Sequence, residues 1–166
     1  TLEQVRVDSE AWFYDHIEIL SQCETFIFTA AGSNWPIVKE AEIKFMEMLP
    51  ALTQSFELEE LVHGPQNAFG ENQGFFILAD ENTQFEKAKQ TQKFIEEAVG
   101  ARVFLIEENT IPSFPKLNKF SFLTYLMFFQ TQAYHIAITK GRDLRFGTYP
   151  SVDEYIGRTI KKEENQ

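Results

Sequence analysis

Three ionisable residues with helical spacing are the part of this sequence best suited to chemistry. Glu40, Lys44 and Glu47 follow one another at intervals of four and three residues, so a helix would place them within an arc of roughly 60°. A carboxylate at the edge of a buried helix face can have its pKa raised, and a nearby ammonium group can lower it again. Such a carboxylate could act as a base that moves a proton next to a carbonyl. The same spacing also fits ordinary surface ion pairs.

We call Glu40, Lys44 and Glu47 the charged stripe. A second possible proton carrier, His63, follows it in the sequence. It lies 16 residues after Glu47, in the only His-Gly-Pro sequence of the chain. The stiff backbone at Gly64 and Pro65 could hold the ring, and the ordinary pKa of histidine suits proton transfer near neutral pH. A surface or helix-capping histidine is the plainer alternative.

The other histidines give little support to a metal site. His16 falls on the first predicted helix and His135 in an apolar segment, so the three histidines have no paired spacing of metal ligands. We expect neither a metal nor a cofactor.

The turn Ala31 to Asn34 joins a predicted strand to a predicted helix, which is a common place for an anion site. It matches neither a Walker loop nor the G-x-G-x-x-G pattern. A simple turn is therefore the better interpretation as far as phosphate is concerned. Ser33 and Asn34 remain candidates for contact with a sugar hydroxyl.

Apolar β-rich segments alternate with helical patterns along the chain. Four segments are predicted strands: Thr25 to Ala30, Leu52 to Phe56, Phe75 to Ala79 and Arg102 to Ile106. The predicted helices run from Asp8 or Ser9 to Gln22, Pro36 to about Leu49, Thr83 to about Val99, Phe120 to Thr139, and Ser151 to about Lys162, with a short helical turn at Glu57 to Leu61. This order predicts an α/β fold, a three-layer sandwich whose mainly parallel sheet is flanked by helices.

Composition narrows the function classes. The chain has 166 residues, 17 Phe and a formal net charge of −10, which indicates one well-packed domain without the basic stripe of a nucleic-acid binder. Cys23 is the only cysteine, so no internal disulfide can form, and we expect a cytoplasmic protein. The most apolar run, Phe120 to Phe129, is too short to cross a bilayer, so no membrane partner is expected.

Further motifs accompany the stripe in a fixed order. Glu59 to Pro65 reads Glu-Glu-Leu-Val-His-Gly-Pro, Ala133 to Ala137 reads Ala-Tyr-His-Ile-Ala, and Lys140 to Asp143 reads Lys-Gly-Arg-Asp. Together with the glycine turn and the Glu-x3-Lys-x2-Glu helix, they resemble the second sugar-isomerase (SIS) domain of tandem phosphosugar isomerases. The isomerase half of glucosamine-6-phosphate synthases and the fructosamine-6-phosphate deglycases show this pattern. The resemblance covers about Thr25 to Asp143.

The resemblance implies roles for four residues. Glu47 matches the base that moves a proton between C1 and C2 of an open-chain sugar. His63 matches a histidine that assists ring opening and is contributed across a dimer interface. Glu40 and Lys44 match residues that position and tune the base. The implied substrate is a phosphorylated sugar or amino sugar.

Two departures from the family pattern bear on the whole protein. Gly157 and Arg158 stand roughly where the synthases have a lysine, which favours a deglycase or an uncharacterised relative over a synthase. The Ser/Thr-rich phosphate loop of a first SIS domain is not found. We therefore expect 1–166 to form a single SIS domain, with a leading helix at 1–24 and a tail at 141–166, as the C-terminal half of a longer tandem protein.

The expected function is that of the C-terminal SIS domain of an amino-sugar-phosphate isomerase or a fructosamine-6-phosphate deglycase. Such a domain contributes the acid/base residues for ring opening and C1–C2 proton transfer, and we expect little activity from it alone. Its partner would be a second copy, in a homodimer, or an N-terminal SIS domain. The alternative is a non-catalytic module that senses a phosphosugar or supports a dimer.

Overall fold

The computed structural model describes residues 1–80, 84–114, 120–149 and 152–156. In this part of the chain four strands alternate with helices. The strands are β1 (Thr25–Ala30), β2 (Thr53–Glu57), β3 (Gln73–Leu78) and β4 (Arg102–Ile106). The helices are α1 (Leu2–Gln22), α2 (Trp35–Met48), α3 (Phe85–Phe94), α4 (Ser121–Thr139) and the short α5 (Val152–Tyr155).

The four strands form one parallel sheet with the order β2-β1-β3-β4. The chain leaves β1 toward one edge of the sheet and later returns to build β3 and β4 on the other side. The carboxyl ends of β1 and β3 therefore lie where the strand order reverses, which is the usual ligand position in open α/β sheets. The predicted three-layer fold with a parallel sheet is confirmed.

Each face of the sheet has its own apolar core. On one face, α1, α2 and α4 cover a cluster of stacked and edge-to-face rings around Phe28, Phe76 and Phe129. On the other face, α3 and the segment after β2 cover Phe75 and Ile77. The almost wholly apolar sequence of α4 is explained by this packing, because α4 lies between α1 and α2 over the first core. None of the helices in the described residues is both long enough and apolar enough to cross a membrane.

The predicted element boundaries differ from the structure at three places. Helix α1 begins at Leu2 with Thr1 as its N-cap, not at Asp8 or Ser9, because Val5 already belongs to the buried face of the helix. Strand β2 excludes Leu52, which is 81% exposed, and reaches Glu57. Strand β3 begins at Gln73, two residues before the predicted start.

The third helix begins and ends in ways that the sequence shows only in part. Its N-cap is Gln84, which has a positive φ of 54° and makes no capping side-chain bond. The predicted start of this helix, Thr83, lies outside the described residues. After Phe94 the helix widens into a π-turn that ends at Gly100, as predicted, with a φ of 77°. The predicted last helix is described only at Val152–Tyr155, so the rest of that prediction lies outside the described residues.

Candidate functional site

The predicted charged stripe is present on α2. Lys44 Nζ lies 2.8 Å from Glu47 Oε2 and 3.5 Å from Glu40 Oε1, so one ammonium group bridges both carboxylates. The hydrogen bond from Lys44 to Glu47 is the main cause that raises the pKa of the lysine. Lys44 therefore remains protonated at neutral pH, and it acts on Glu47 as a fixed positive charge and hydrogen-bond donor.

The stripe is more exposed than the sequence predicted. The side chain of Glu47 is 55% exposed and that of Glu40 is 41% exposed, whereas Lys44 is 26% exposed. The apolar face of α2 turns toward the sheet through Ile37 and Phe45, which leaves the end of the stripe at the surface. Glu47 thus keeps more than half of its side-chain surface open to solvent in this structure.

A cavity of about 400 Å³ lies beside the start of the stripe. It is bounded by the turn after β1, the first two turns of α2 and the first turns of α4. Its lining residues are Ser33, Asn34, Pro36, Ile37, Glu40, Ser121, Phe122 and Leu126. The structure thus brings together three predicted site residues, Ser33, Asn34 and Glu40. Among the described residues the lining offers hydroxyl groups, an amide, a carboxylate and an aromatic ring but no Lys or Arg, which suits a polyol better than a phosphate.

Asp80 is a residue of this region that the sequence analysis missed. It follows β3 at the carboxyl edge of the sheet, is 5% exposed, and accepts a 2.9 Å hydrogen bond from Asn34 Nδ2. This bond fixes the orientation of Asn34 at the wall of the cavity. A polar residue directly after a buried strand was the signal that could have identified Asp80.

Glu42 is a second missed carboxylate, and it has a structural role. It is 9% exposed, and its carboxylate accepts hydrogen bonds from Lys39 at 2.8 Å and from the Ser55 hydroxyl. Its backbone carbonyl accepts a 2.8 Å bond from the Thr53 hydroxyl. These contacts attach α2 to β2, which keeps the charged stripe in a fixed position above the sheet edge.

His63 ends a rigid loop that follows β2. Leu58 and Leu61 anchor this loop in the second core, and an ion pair joins Glu59 to Lys87 of α3. A 3₁₀ turn at Glu60–Val62 then presents His63, which is exposed, before Gly64 with a φ of 136°. His63 is not among the residues that line the cavity, so within one copy the structure does not bring it to Ser33 and Asn34.

The remaining histidines are partly exposed, pack against aromatic residues of the first core, and do not line the cavity. The His135 ring stacks on Phe13 with a centroid distance of 5.1 Å, and its Nε2 lies 3.6 Å from Glu10 Oε1. Burial lowers the pKa of His135. His16 stacks on Trp12 at 3.9 Å. The described residues contain no group of three His, Cys, Asp or Glu that could hold a metal ion.

Comparison with known proteins gives relatives of one kind. No family model matches the chain. Glutamine--fructose-6-phosphate aminotransferase [isomerizing] of Buchnera aphidicola is 29% identical over 140 residues, which cover 78% of this chain and 23% of that protein. The corresponding enzyme of Rhizobium meliloti is 24% identical over 137 residues, covering 75% and 22%. The chain therefore spans less than a quarter of the curated relatives that it matches.

Solved structures show the same fold. A Clostridium difficile 630 protein, provisionally named a phosphosugar isomerase, matches with a TM-score of 0.77 and 20% identity over 97% of this chain and 46% of that one. The C-terminal domain of glucosamine-fructose-6-phosphate aminotransferase from Francisella tularensis matches with a TM-score of 0.61 and 21% identity, covering 86% and 41%. The resemblance to sugar-isomerase domains that the sequence predicted is confirmed by these matches.

Proposed function

We propose that this chain is the C-terminal SIS domain of a tandem phosphosugar-processing enzyme, of the amino-sugar-phosphate isomerase or fructosamine-6-phosphate deglycase type. The observation that carries the proposal is the charged stripe in which Lys44 bridges Glu40 and Glu47. Its first residue, Glu40, lines the cavity at the carboxyl edge of the sheet, whereas Lys44 and Glu47 lie further along α2 and are not among the lining residues. The stripe supplies a base and a fixed cation, which enolisation of an open-chain sugar requires.

In this proposal Glu47 removes a proton from one of the carbons C1 and C2 and returns it to the other. Lys44 keeps the carboxylate oriented and stabilises negative charge that develops on the sugar oxygens during enolisation. Glu40 holds Lys44 from the other side, and Ser33 and Asn34 bind sugar hydroxyls at the cavity wall. These steps move only protons, so they require no cofactor.

The exposure of Glu47 supports a site that is completed by another domain. A base at 55% exposure is surrounded by water, which competes for the proton and weakens the electrostatic effect of Lys44. A neighbouring domain that covers the end of α2 would exclude this water. His63, which is exposed and lies on a rigid loop, would then serve the site of a second copy as the acid/base for ring opening.

A non-catalytic sensor or dimerisation module is the second candidate. It is favoured by the lack of cationic side chains among the described residues of the cavity lining, because without a phosphate grip this lining does not hold a sugar in position for proton transfer. The two candidates differ in whether the carboxylate of Glu47 matters beyond its size. A sensor needs the shape of this side chain, whereas an isomerase needs its basicity.

The test is the turnover of a tandem protein that contains this chain, carrying Glu47→Gln. Glutamine keeps the size of the side chain and a hydrogen-bonding oxygen but cannot accept the proton, so we expect turnover to fall about 100- to 10,000-fold. Glu86→Gln is the matched control, because Glu86 also forms an ion pair with a lysine three residues later on a helix surface. Unchanged turnover in Glu47→Gln would contradict the catalytic proposal.

A further inference from the structure

Among the described residues, strand β4 forms an edge of the sheet. No described strand pairs with it on the side opposite β3, and a groove of about 490 Å³ runs along Arg102 to Leu105 on that side. The walls of the groove come from both helical layers: Trp12, His16 and Ile19 of α1, and Gln92 and Glu96 beyond the opposite face.

The register identifies which main-chain groups face this groove. The amide of Ala79 donates to the carbonyl of Ile106 at 2.9 Å, so Ile106 directs its polar groups toward β3. In a parallel ladder alternate residues face opposite neighbours. The N–H and C=O groups of Val103 and Leu105 therefore point outward, and none of them has a hydrogen-bond partner among the described residues.

The two edge strands of the sheet, β2 and β4, differ in polarity, and this difference favours the addition of another strand at β4. Each edge strand has one charged residue at an end, Glu57 in β2 and Arg102 in β4, and charges on an edge strand discourage further pairing. The middle of β2 is also polar, with Gln54 and Ser55. The sequence of β4 after Arg102 is Val-Phe-Leu-Ile, without a charge or a proline. An apolar edge with unpaired polar groups is the template on which another strand adds.

We propose that β4 pairs antiparallel with β4 of a second copy about a two-fold axis at Phe104. In this register Val103 of each copy lies opposite Leu105 of the other, so the outward groups form four main-chain hydrogen bonds and all of them are satisfied. The sheet would continue across the axis as eight strands. The pairing is self-complementary, as a two-fold interface requires.

The charges at the ends of β4 favour an antiparallel β4 of a second copy as the pairing strand. Arg102 begins the strand, and Glu107 and Glu108 follow its last residue. An antiparallel copy brings the arginine of one chain to the glutamates of the other at both ends, whereas a parallel strand of the same sequence would place like charges together. The interface lies at the sheet edge opposite β2, so it is separate from the surface that presents His63 and from the proposed catalytic stripe.

The first test is sedimentation of the chain over about a hundredfold range of concentration. We expect a reversible dimer. Val103→Pro removes an outward N–H while leaving the ladder to β3 intact, because proline is tolerated on an edge strand where its nitrogen faces outward. It should weaken dimerisation at least about tenfold. Val103→Thr keeps the N–H and the β-branched shape and should dimerise like the unchanged chain.

A charge exchange tests the register. Arg102→Glu should weaken the dimer, and Glu107→Lys with Glu108→Lys in the same chain should restore it. In the unchanged chain, the amides of Val103 and Leu105 should exchange hydrogen more slowly as the concentration rises, which tests the interface without any variant. A chain that stays monomeric throughout, or a folded Val103→Pro variant that dimerises as well as Val103→Thr, would overturn the proposal.

Discussion

At the scale of single residues, the two proposed proton carriers lie on different elements of the described structure. Glu47 belongs to the charged stripe on α2, where it pairs with Lys44. His63 ends a loop that is held by Leu58 and Leu61. The helical period predicted that the residues of the charged stripe lie side by side, because spacing by four and three residues places side chains together in any α-helix. It could not predict how exposed Glu47 is, since exposure depends on what covers the end of α2.

His63→Asn is expected to affect ring opening more than enolisation. Asparagine keeps a polar side chain of similar reach but cannot carry a proton at neutral pH. In the tandem protein, turnover of a cyclic substrate should fall, and an open-chain substrate analogue should restore a large part of it. Equal losses with both forms of the substrate would contradict the role given to His63.

At the scale of elements, alternation of apolar strands and helices predicted the parallel sheet, and the strands β1 and β4 have the predicted bounds. The predicted ends of helices and strands were wrong where contacts between distant parts of the chain determine them. The buried polar pair of Asn34 and Asp80 joins residues 46 positions apart, and no local pattern contains that contact. The sequence did not predict that Glu42 is buried, because a buried carboxylate can be recognised only together with its hydrogen-bond partners, which here include one on β2.

Gly74 of β3 gives a test of the packing between α1 and the sheet. A Cβ atom at this position would lie 2.9 Å from Cys23 Sγ and 2.9 Å from two atoms of the Phe26 ring. Gly74→Ala should therefore lower the free energy of unfolding by about 1–3 kcal/mol, because a buried sulfur and a packed ring must move.

Gly70→Ala is the matched control for this change, since a Cβ atom there meets nothing within 4 Å. Denaturant titration of both variants measures the difference. Equal stability of the two variants would show that the contact between Gly74 and Cys23 is looser than the structure indicates.

At the scale of the whole molecule, several large apolar side chains remain exposed on α4. Phe122, Leu123 and Ile138 are 42%, 39% and 47% exposed. The partner expected from the sequence is a second copy or an N-terminal SIS domain, and these side chains are where such a partner could pack. That prediction concerns a longer protein, and it fits the small share of the relatives' length that this chain covers.

The isolated chain should fold but bind phosphosugars weakly. The described residues of the cavity lining include no cationic side chain, and the net charge of −10 repels a phosphate dianion. Calorimetry with fructose 6-phosphate and glucosamine 6-phosphate should show dissociation constants no tighter than millimolar, about −4 kcal/mol. Micromolar binding would mean that a phosphate site exists in this domain, with the turn at Gly32 and Ser33 as the place to search.

The central claim is that Glu47 transfers the proton between C1 and C2, and solvent isotope exchange tests it most directly. The tandem protein is incubated with its phosphosugar in deuterium oxide, and NMR follows the appearance of deuterium at C1 and C2. We predict exchange in the unchanged protein and in Glu86→Gln, and a loss of about 100-fold or more in folded Glu47→Gln. Exchange at the unchanged rate in Glu47→Gln would contradict the account.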